Sequence, residues 1–260
     1  MDTPLDGLRK AHTSPRCVSP PVKSSKILID LFAQPYFPPA MKISNTPQAR
    51  FNMIEQQIRP WNVLDTHILE LLTVVAREDF VPAAHQALAF ADLEIPIGHG
   101  QCMLAPRLEA RLLQDLHVQK HERILEIGAG SGYMAALLAH QAQSVLTLDI
   151  HPELADLAYA NLQKAGLNNA QVRVADASQD LLAEGPFDAI MLSGSVAQVP
   201  HQLLEQLRTG GRLIAIVGDE PIMSATLFTR VGDTDFHSVK LWDANAPRLE
   251  NFAETSQFVF

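Results

Sequence analysis

One stretch limits the folds open to this chain more than any other. Arg123-Ile124-Leu125-Glu126-Ile127 has the apolar character of a short buried strand. It runs directly into Gly128-Ala129-Gly130-Ser131-Gly132, and a helical sequence follows over 131–140. Glycine allows a sharp turn and lets a ligand approach where a Cβ would collide. The helix start behind it predicts unpaired N–H groups and partial positive charge facing that ligand. From there strands at 144–149, 171–175, 187–192 and 212–217 alternate with helices at 152–165 and 198–207. Such alternation implies right-handed crossovers and a mainly parallel, doubly wound α/β sheet. Two further strands, 223–231 and 236–242, have no long helix between them and predict an antiparallel edge.

Upstream the pattern is helical. Phe51, Ile54, Ile58 and Trp61 recur at helical spacing as far as Pro60. Asp65 suits the cap of a second helix that buries Ile68, Leu69, Leu72 and Val75, and Pro82 opens a short third. Residues 91–105 read as a loop broken by Pro96, Gly98 and Gly100; beyond it Leu108, Leu112, Leu113 and Leu116 form a helical stripe. The division expected is a Pro- and Ser-rich leader over 1–40, a helical segment with a substrate-side loop over 41–105, and the α/β domain over 106–260. Met41 also suits a start codon, which would place the leader outside the protein.

Charge narrows the partners. The 29 acidic and 20 basic residues give a net charge of −9 with no basic stripe, which disfavours nucleic acid. No run approaches the ~20 apolar residues of a membrane span. The two cysteines, Cys17 and Cys102, make no disulfide framework, and no Cys/His spacing suggests a metal. A monomeric cytoplasmic protein is expected.

The glycine spacing separates nucleotide classes. A dinucleotide turn needs Gly-x-Gly-x-x-Gly, but that third position is Tyr133, which disfavours a nicotinamide oxidoreductase; a Walker loop needs Gly-Lys-Ser/Thr, which is absent. Glu126-x-Gly128-x-Gly130-x-Gly132 after a strand resembles motif I of the Rossmann-like class I methyltransferases. The resemblance implies S-adenosyl-L-methionine as cofactor, held by Glu126, Gly128, Ala129, Gly130, Ser131 and Gly132. Asp149 with Ile150, at the end of the second strand, then faces the ribose, and Asp176 with Ala177 faces the adenine. Alone, each aspartate reads equally as a strand-end loop residue or helix cap. Asp188 opens the fourth strand and suits a structural role.

Further segments resemble the protein-L-isoaspartate (D-aspartate) O-methyltransferase family over roughly residues 51–218. They are Met53-Ile54-Glu55-Gln56-Gln57-Ile58-Arg59, Arg77-Glu78-Asp79-Phe80-Val81-Pro82, Ile95-Pro96-Ile97-Gly98-His99-Gly100-Gln101 with Pro106, and Gly210-Gly211-Arg212-Leu213. The resemblance implies methyl transfer to an isoaspartyl carboxylate of a protein or peptide, a protein-repair reaction. His99, Gln101, Cys102 and Met103 then form the substrate-side loop. Cys102 stands where the family has threonine, Leu104 stands at the position of its active-site serine, and Met134 replaces a glutamine. Those departures keep two alternatives open: a different small-molecule or protein acceptor, and a cofactor-binding relative without turnover. For Cys102 a buried inert thiol outweighs a nucleophile, and for His99 a loop residue outweighs a base.

Overall fold

The computed structural model describes residues 46–179 and 183–254. The leader over 1–40, the alternative start at Met41 and the chain end over 257–260 lie outside the described residues. The first helix, α1 (Thr46–Met53), passes into a wider π turn at Ile54–Ile58 and a tight 3₁₀ turn at Arg59–Trp61. The added residue per turn shifts the helical phase, so Ile54 and Ile58 are buried while Phe51 is 55% and Trp61 37% exposed. The single stripe expected from Phe51 to Trp61 is therefore corrected. Asp65 does cap α2 (Thr66–Val74), its side chain accepting from the His67 amide at 2.9 Å.

The loop expected over 91–105 is also corrected. It contains an antiparallel hairpin, β1 (Ile95–Gly98) and β2 (Gln101–Met103). Gly98, His99 and Gly100 all have positive φ at its tip, so the glycines serve the turn instead of breaking structure. Helix α3 (Pro106–Leu116) follows, with proline at its first position, where a missing N–H costs nothing.

The main sheet runs in the order β5-β4-β3-β6-β7-β8-β9. Its members are β3 (Arg123–Ile127), β4 (Ser144–Asp149), β5 (Ala170–Val174), β6 (Phe187–Val196), β7 (Leu207–Asp219), β8 (Ile222–Arg230) and β9 (Phe236–Asp243). The first five pair in parallel; β7–β8 and β8–β9 are antiparallel, as the sequence implied. Helices α4 (Tyr133–Gln141) and α5 (Pro152–Lys164) make the crossovers. Alternate strand residues feed two cores. Ile124, Val145, Met191 and Ile214 pack with α2 to α4, while Leu125, Leu146, Ile190 and Leu213 pack with Phe252 and Leu203 of α6 (His201–Glu205).

That last helix is shorter than the 198–207 expected, because Leu207 already pairs with Phe187 in the sheet. The Gly210-Gly211 turn survives as a bulge: Phe187 faces Leu207, yet Ala189 faces Arg212. Asp188 is structural, accepting from the Arg123 amide at 2.6 Å and pairing with Arg208.

Candidate active site

Chain order reverses between β3 and β6: β4 and β5 are laid down on one side of β3, β6 and β7 on the other. In open α/β sheets such a switch leaves a crevice beyond the carboxyl ends of the strands. A cleft of about 560 Å³ lies there. Ile127, Gly128 and Gly130 reach it after β3, Asp149 and Ile150 after β4, Asp176 and Ala177 after β5, and Ser193 from β6.

The turn is held by its own amides. Gly128 N–H and Ala129 N–H both donate to the Leu148 carbonyl at 2.9 Å, and Gly132 N–H donates to Ala129 at 2.7 Å. Gly130 N–H donates to Asp149 Oδ2 at 2.8 Å, while Asp149 Oδ1 accepts from His151 N–H at 3.0 Å. These four turn amides are engaged within the protein, whereas those of Tyr133, Met134 and Ala135 at the start of α4, where the sequence predicts unpaired groups, are not among the paired ones. This turn is no anion nest, which agrees with a ligand lacking a pyrophosphate. Gly132, the N-cap of α4, has φ 82°, and a Cβ there would stand 3.1 Å from the Ala158 backbone of α5. Asn161 of the same helix donates to the Ser131 carbonyl at 2.9 Å, fastening the turn to α5.

A second cavity of about 320 Å³ adjoins the cleft. Cys102, Gly128, Gly130 and Ser193 line both. Glu126 forms the wall of the second cavity and is fully buried. Its Oε1 accepts from Ser193 Oγ at 2.7 Å, but Oε2 has no partner. Burial, outweighing that hydrogen bond and a weaker interaction with the Thr147 hydroxyl, pushes the carboxyl up to about 8. Glu109 lines the same space, pushed up to about 7 by burial although Arg77 is its partner. Arg77, with no exposed surface, pairs with Glu109, donates to the Leu104 carbonyl at 2.8 Å and lies 5.1 Å from the centre of the Tyr133 ring. It therefore ties the Leu104 segment to the helix behind the glycine turn. Leu104, Met103 and Met134 are all buried and make much of the wall apolar.

Several lining groups have no local sequence signal. Ser193 was within reach of the strand-end rule, but Leu249, Glu250 and Phe252 sit in an aperiodic stretch. This segment is fastened across the crevice. Ser195 N–H donates to the Pro247 carbonyl, and Leu249 N–H to that of Ser195. Glu250 accepts from Gln101 at 2.6 Å and lies 3.1 Å from His151 Nε2, and Asn251 donates to Asp176 at 2.8 Å. Burial raises Asp176, but hydrogen bonds from Ser178, Asn251 and Gln179 outweigh it and hold the carboxyl below its ordinary range. Of the residues expected at the site, Gly132 and His99 line neither cavity. His99 stacks on His151 at 4.7 Å and faces Glu153 at 3.6 Å. Burial, then Glu94, raises the Cys102 thiol to about 12, which leaves it no thiolate near neutrality.

The donor set suits a ligand with hydroxyls, amino groups and positive charge: Asp149 ends β4, Asp176 follows β5, and Glu126, with one oxygen unpartnered, stands behind the turn. Residues 48–242 match the family model of protein-L-isoaspartate(D-aspartate) O-methyltransferase. Protein-L-isoaspartate O-methyltransferase 1 of Syntrophobacter fumaroxidans is 42% identical over 175 residues, 67% of this chain and 82% of that protein. The Rhodopseudomonas palustris relative of the same name is 39% identical over 195 residues, 75% of this chain and 80% of that protein. Among solved structures, a protein-L-isoaspartate O-methyltransferase superposes with TM-score 0.67 at 21% identity, over 79% of this chain and 66% of that one. A Plasmodium falciparum structure of this type, in complex with S-adenosyl-L-homocysteine, gives 0.65 at 19%, over 79% of this chain and 98% of that one. At such identities the two structures speak for the fold. The matched stretch runs from α1 into β9 and takes in the hairpin, the glycine turn and the strand-end carboxylates, and the chain belongs to the protein-L-isoaspartate(D-aspartate) O-methyltransferase family.

Proposed function

We propose that this protein transfers the methyl group of S-adenosyl-L-methionine to the carboxylate of an isoaspartyl residue in proteins or peptides. The observation that carries the reading is the shared wall of the two cavities at Gly128 and Gly130, beside the unpartnered Glu126 Oε2. In this reading Glu126 takes the α-ammonium of the cofactor, Asp149 its ribose hydroxyls and Asp176 its adenine amino group. Ile150 and Ala177 flank the nucleoside, and Ala129 and Ser131 back the methionyl end. When bound, the cofactor supplies a methyl carbon made electrophilic by a sulfonium.

The chain's own task is alignment. An isoaspartyl carboxylate is already ionised at neutral pH, with a reference pKa of about 4, so no residue has to remove a proton. One C–O bond forms, one C–S bond breaks, and the bond pair leaves with sulfur as a neutral thioether. Holding the oxygen in line behind the methyl supplies up to about 7–11 kcal/mol in favourable intramolecular systems. The methionyl end thus enters the second cavity on its Glu126 side, the acceptor is proposed to meet it from the opposite side at Cys102, Met103 and Leu104, and Gln101 braces the adjoining rim through Glu250.

The apolar wall of Met103, Leu104 and Met134 favours a second reading, in which the acceptor is a less polar small molecule or another protein site. Net charge −9 supports a protein partner over a nucleic acid, and we take the working unit to be a cytoplasmic monomer. Among the described residues no helix is long and apolar enough to cross a membrane. The test is methylation of an isoaspartyl peptide beside its aspartyl twin, with labelled cofactor. Label should enter the isoaspartyl peptide alone; equal labelling, or none, would reject the proposed acceptor.

A further inference from the structure

We propose that a groove beside the acceptor cavity seats the stretch of protein substrate flanking the isoaspartyl residue, and that it selects a basic side chain there. The proposal rests on the isoaspartyl reading above. The groove is open to solvent and offers about 940 Å³ of space. Ala105, Leu108, Met223 and Ala244 give it an apolar lining, with Trp61 and Ile222 exposed at its edges. An extended chain segment can cover such a lining without leaving its own backbone out of water.

Two observations connect the groove to the site. Ala105 follows Leu104 directly, and Leu104 lines the acceptor cavity. Glu94 lines the groove and hydrogen-bonds the Cys102 side chain, which lines both site cavities. On this proposal a polypeptide whose isoaspartyl side chain enters the second cavity lays its neighbouring residues along the groove.

Charge decides what those neighbours carry. Among the described residues Arg107 is the one cation lining the groove, and it is already engaged, paired with Asp92 and lying 4.2 Å from the centre of the Trp61 ring. The carboxylates are not balanced in the same way. Among the described residues Glu94 has only the Cys102 thiol as partner, and Asp243 has no side-chain hydrogen bond or ion pair. Glu94 and Asp243 are both exposed, so their field reaches an incoming side chain through water and is weakened by salt. A lysine or arginine beside the isoaspartyl residue meets two unbalanced negative charges, and a glutamate there is repelled by them.

The test uses isoaspartyl hexapeptides that differ only in carrying Lys, Ala or Glu at the flanking positions, with KM and kcat measured for the full chain at low and high salt. A blocked isoaspartyl dipeptide, too short to reach the groove, gives the reference for each series. An exposed ion pair is worth up to about fivefold, so KM for the Lys peptide should lie about five- to tenfold below that for the Glu peptide at low salt, with kcat alike. The ratio should shrink at about 1 M salt. Asp243→Asn should reduce it by about two- to fivefold, and Asp243→Lys should bring it to unity or invert it. Equal KM values for the Lys and Glu peptides in the wild-type chain, or a ratio untouched by Asp243→Lys, would overturn the groove while leaving the activity intact. Failure to methylate any isoaspartyl peptide would overturn the activity, and the groove's assigned occupant with it.

Discussion

Glu126 is legible in the sequence as the acid that opens the glycine motif, but only the structure gives its condition: fully buried, one oxygen satisfied by Ser193, the other free. With its carboxyl pushed up to about 8, it holds a proton near neutrality in the unliganded protein. Pairing with a ligand ammonium requires the ionised form, so binding must release that proton. Affinity for S-adenosylhomocysteine should then rise with pH, by up to about tenfold per unit between about pH 5.5 and 7.5. Calorimetry in buffers of different ionisation enthalpy reads the proton release, and Glu126→Gln should weaken binding and abolish the slope. A pH-independent affinity in the wild-type chain would contradict this role. Leu104 poses the opposite case, an apolar side chain where the family resemblance places serine. Leu104→Ser should raise kcat/KM for an isoaspartyl peptide by about two- to tenfold, the worth of one net hydrogen bond. The same change empties buried space and should cost about 2–5 kcal/mol of stability, as large-to-small core substitutions do. Kinetics and urea unfolding on one preparation separate the two effects; unchanged kcat/KM would favour a different acceptor.

Among elements, the β3–turn–α4 unit is the most legible because its requirements are local. A buried strand, alternating glycines and an immediate helix start fix the backbone before any distant contact forms. Gly132 shows the constraint most sharply, needing both a positive φ and the absence of a Cβ against α5. Gly132→Ala should destabilise the fold by about 1–3 kcal/mol and weaken cofactor binding, read by urea unfolding and calorimetry. Wild-type stability in that variant would show that α5 yields more readily than its packing implies. The β1–β2 hairpin was hidden because Pro96, Gly98 and Gly100 signal chain breaks; its pairing depends on three residues with positive φ at the tip. The segment from Ala246 to Phe252 was hidden for another reason. It has no period of its own, and its order comes from Ser195, Gln101, His151 and Asp176, which are distant in sequence. Contacts of that span leave no mark in a local pattern.

At the scale of the whole molecule, strand–helix alternation sufficed for the parallel sheet and its antiparallel edge, because each crossover is dictated by its neighbours. The order of strands settles where chemistry can occur: a reversal between β3 and β6 opens one crevice, where Asp149 and Asp176 from two strand ends converge, with Glu126 of β3 in the adjoining cavity. Sequence placed Asp149 and Asp176 at those ends. It could not place Glu250 or Asn251 opposite them, nor show Arg77 bracing the acceptor side through Glu109 and the Leu104 carbonyl. The most direct measurement is a crystal structure of the full chain with S-adenosylhomocysteine. The expected result has adenine at Asp176, ribose at Asp149, the amino group at Glu126, and sulfur facing the second cavity beside Gly128 and Gly130. A ligand bound elsewhere, or a cleft that Leu249 and Glu250 keep closed to it at saturating concentration, would contradict the account.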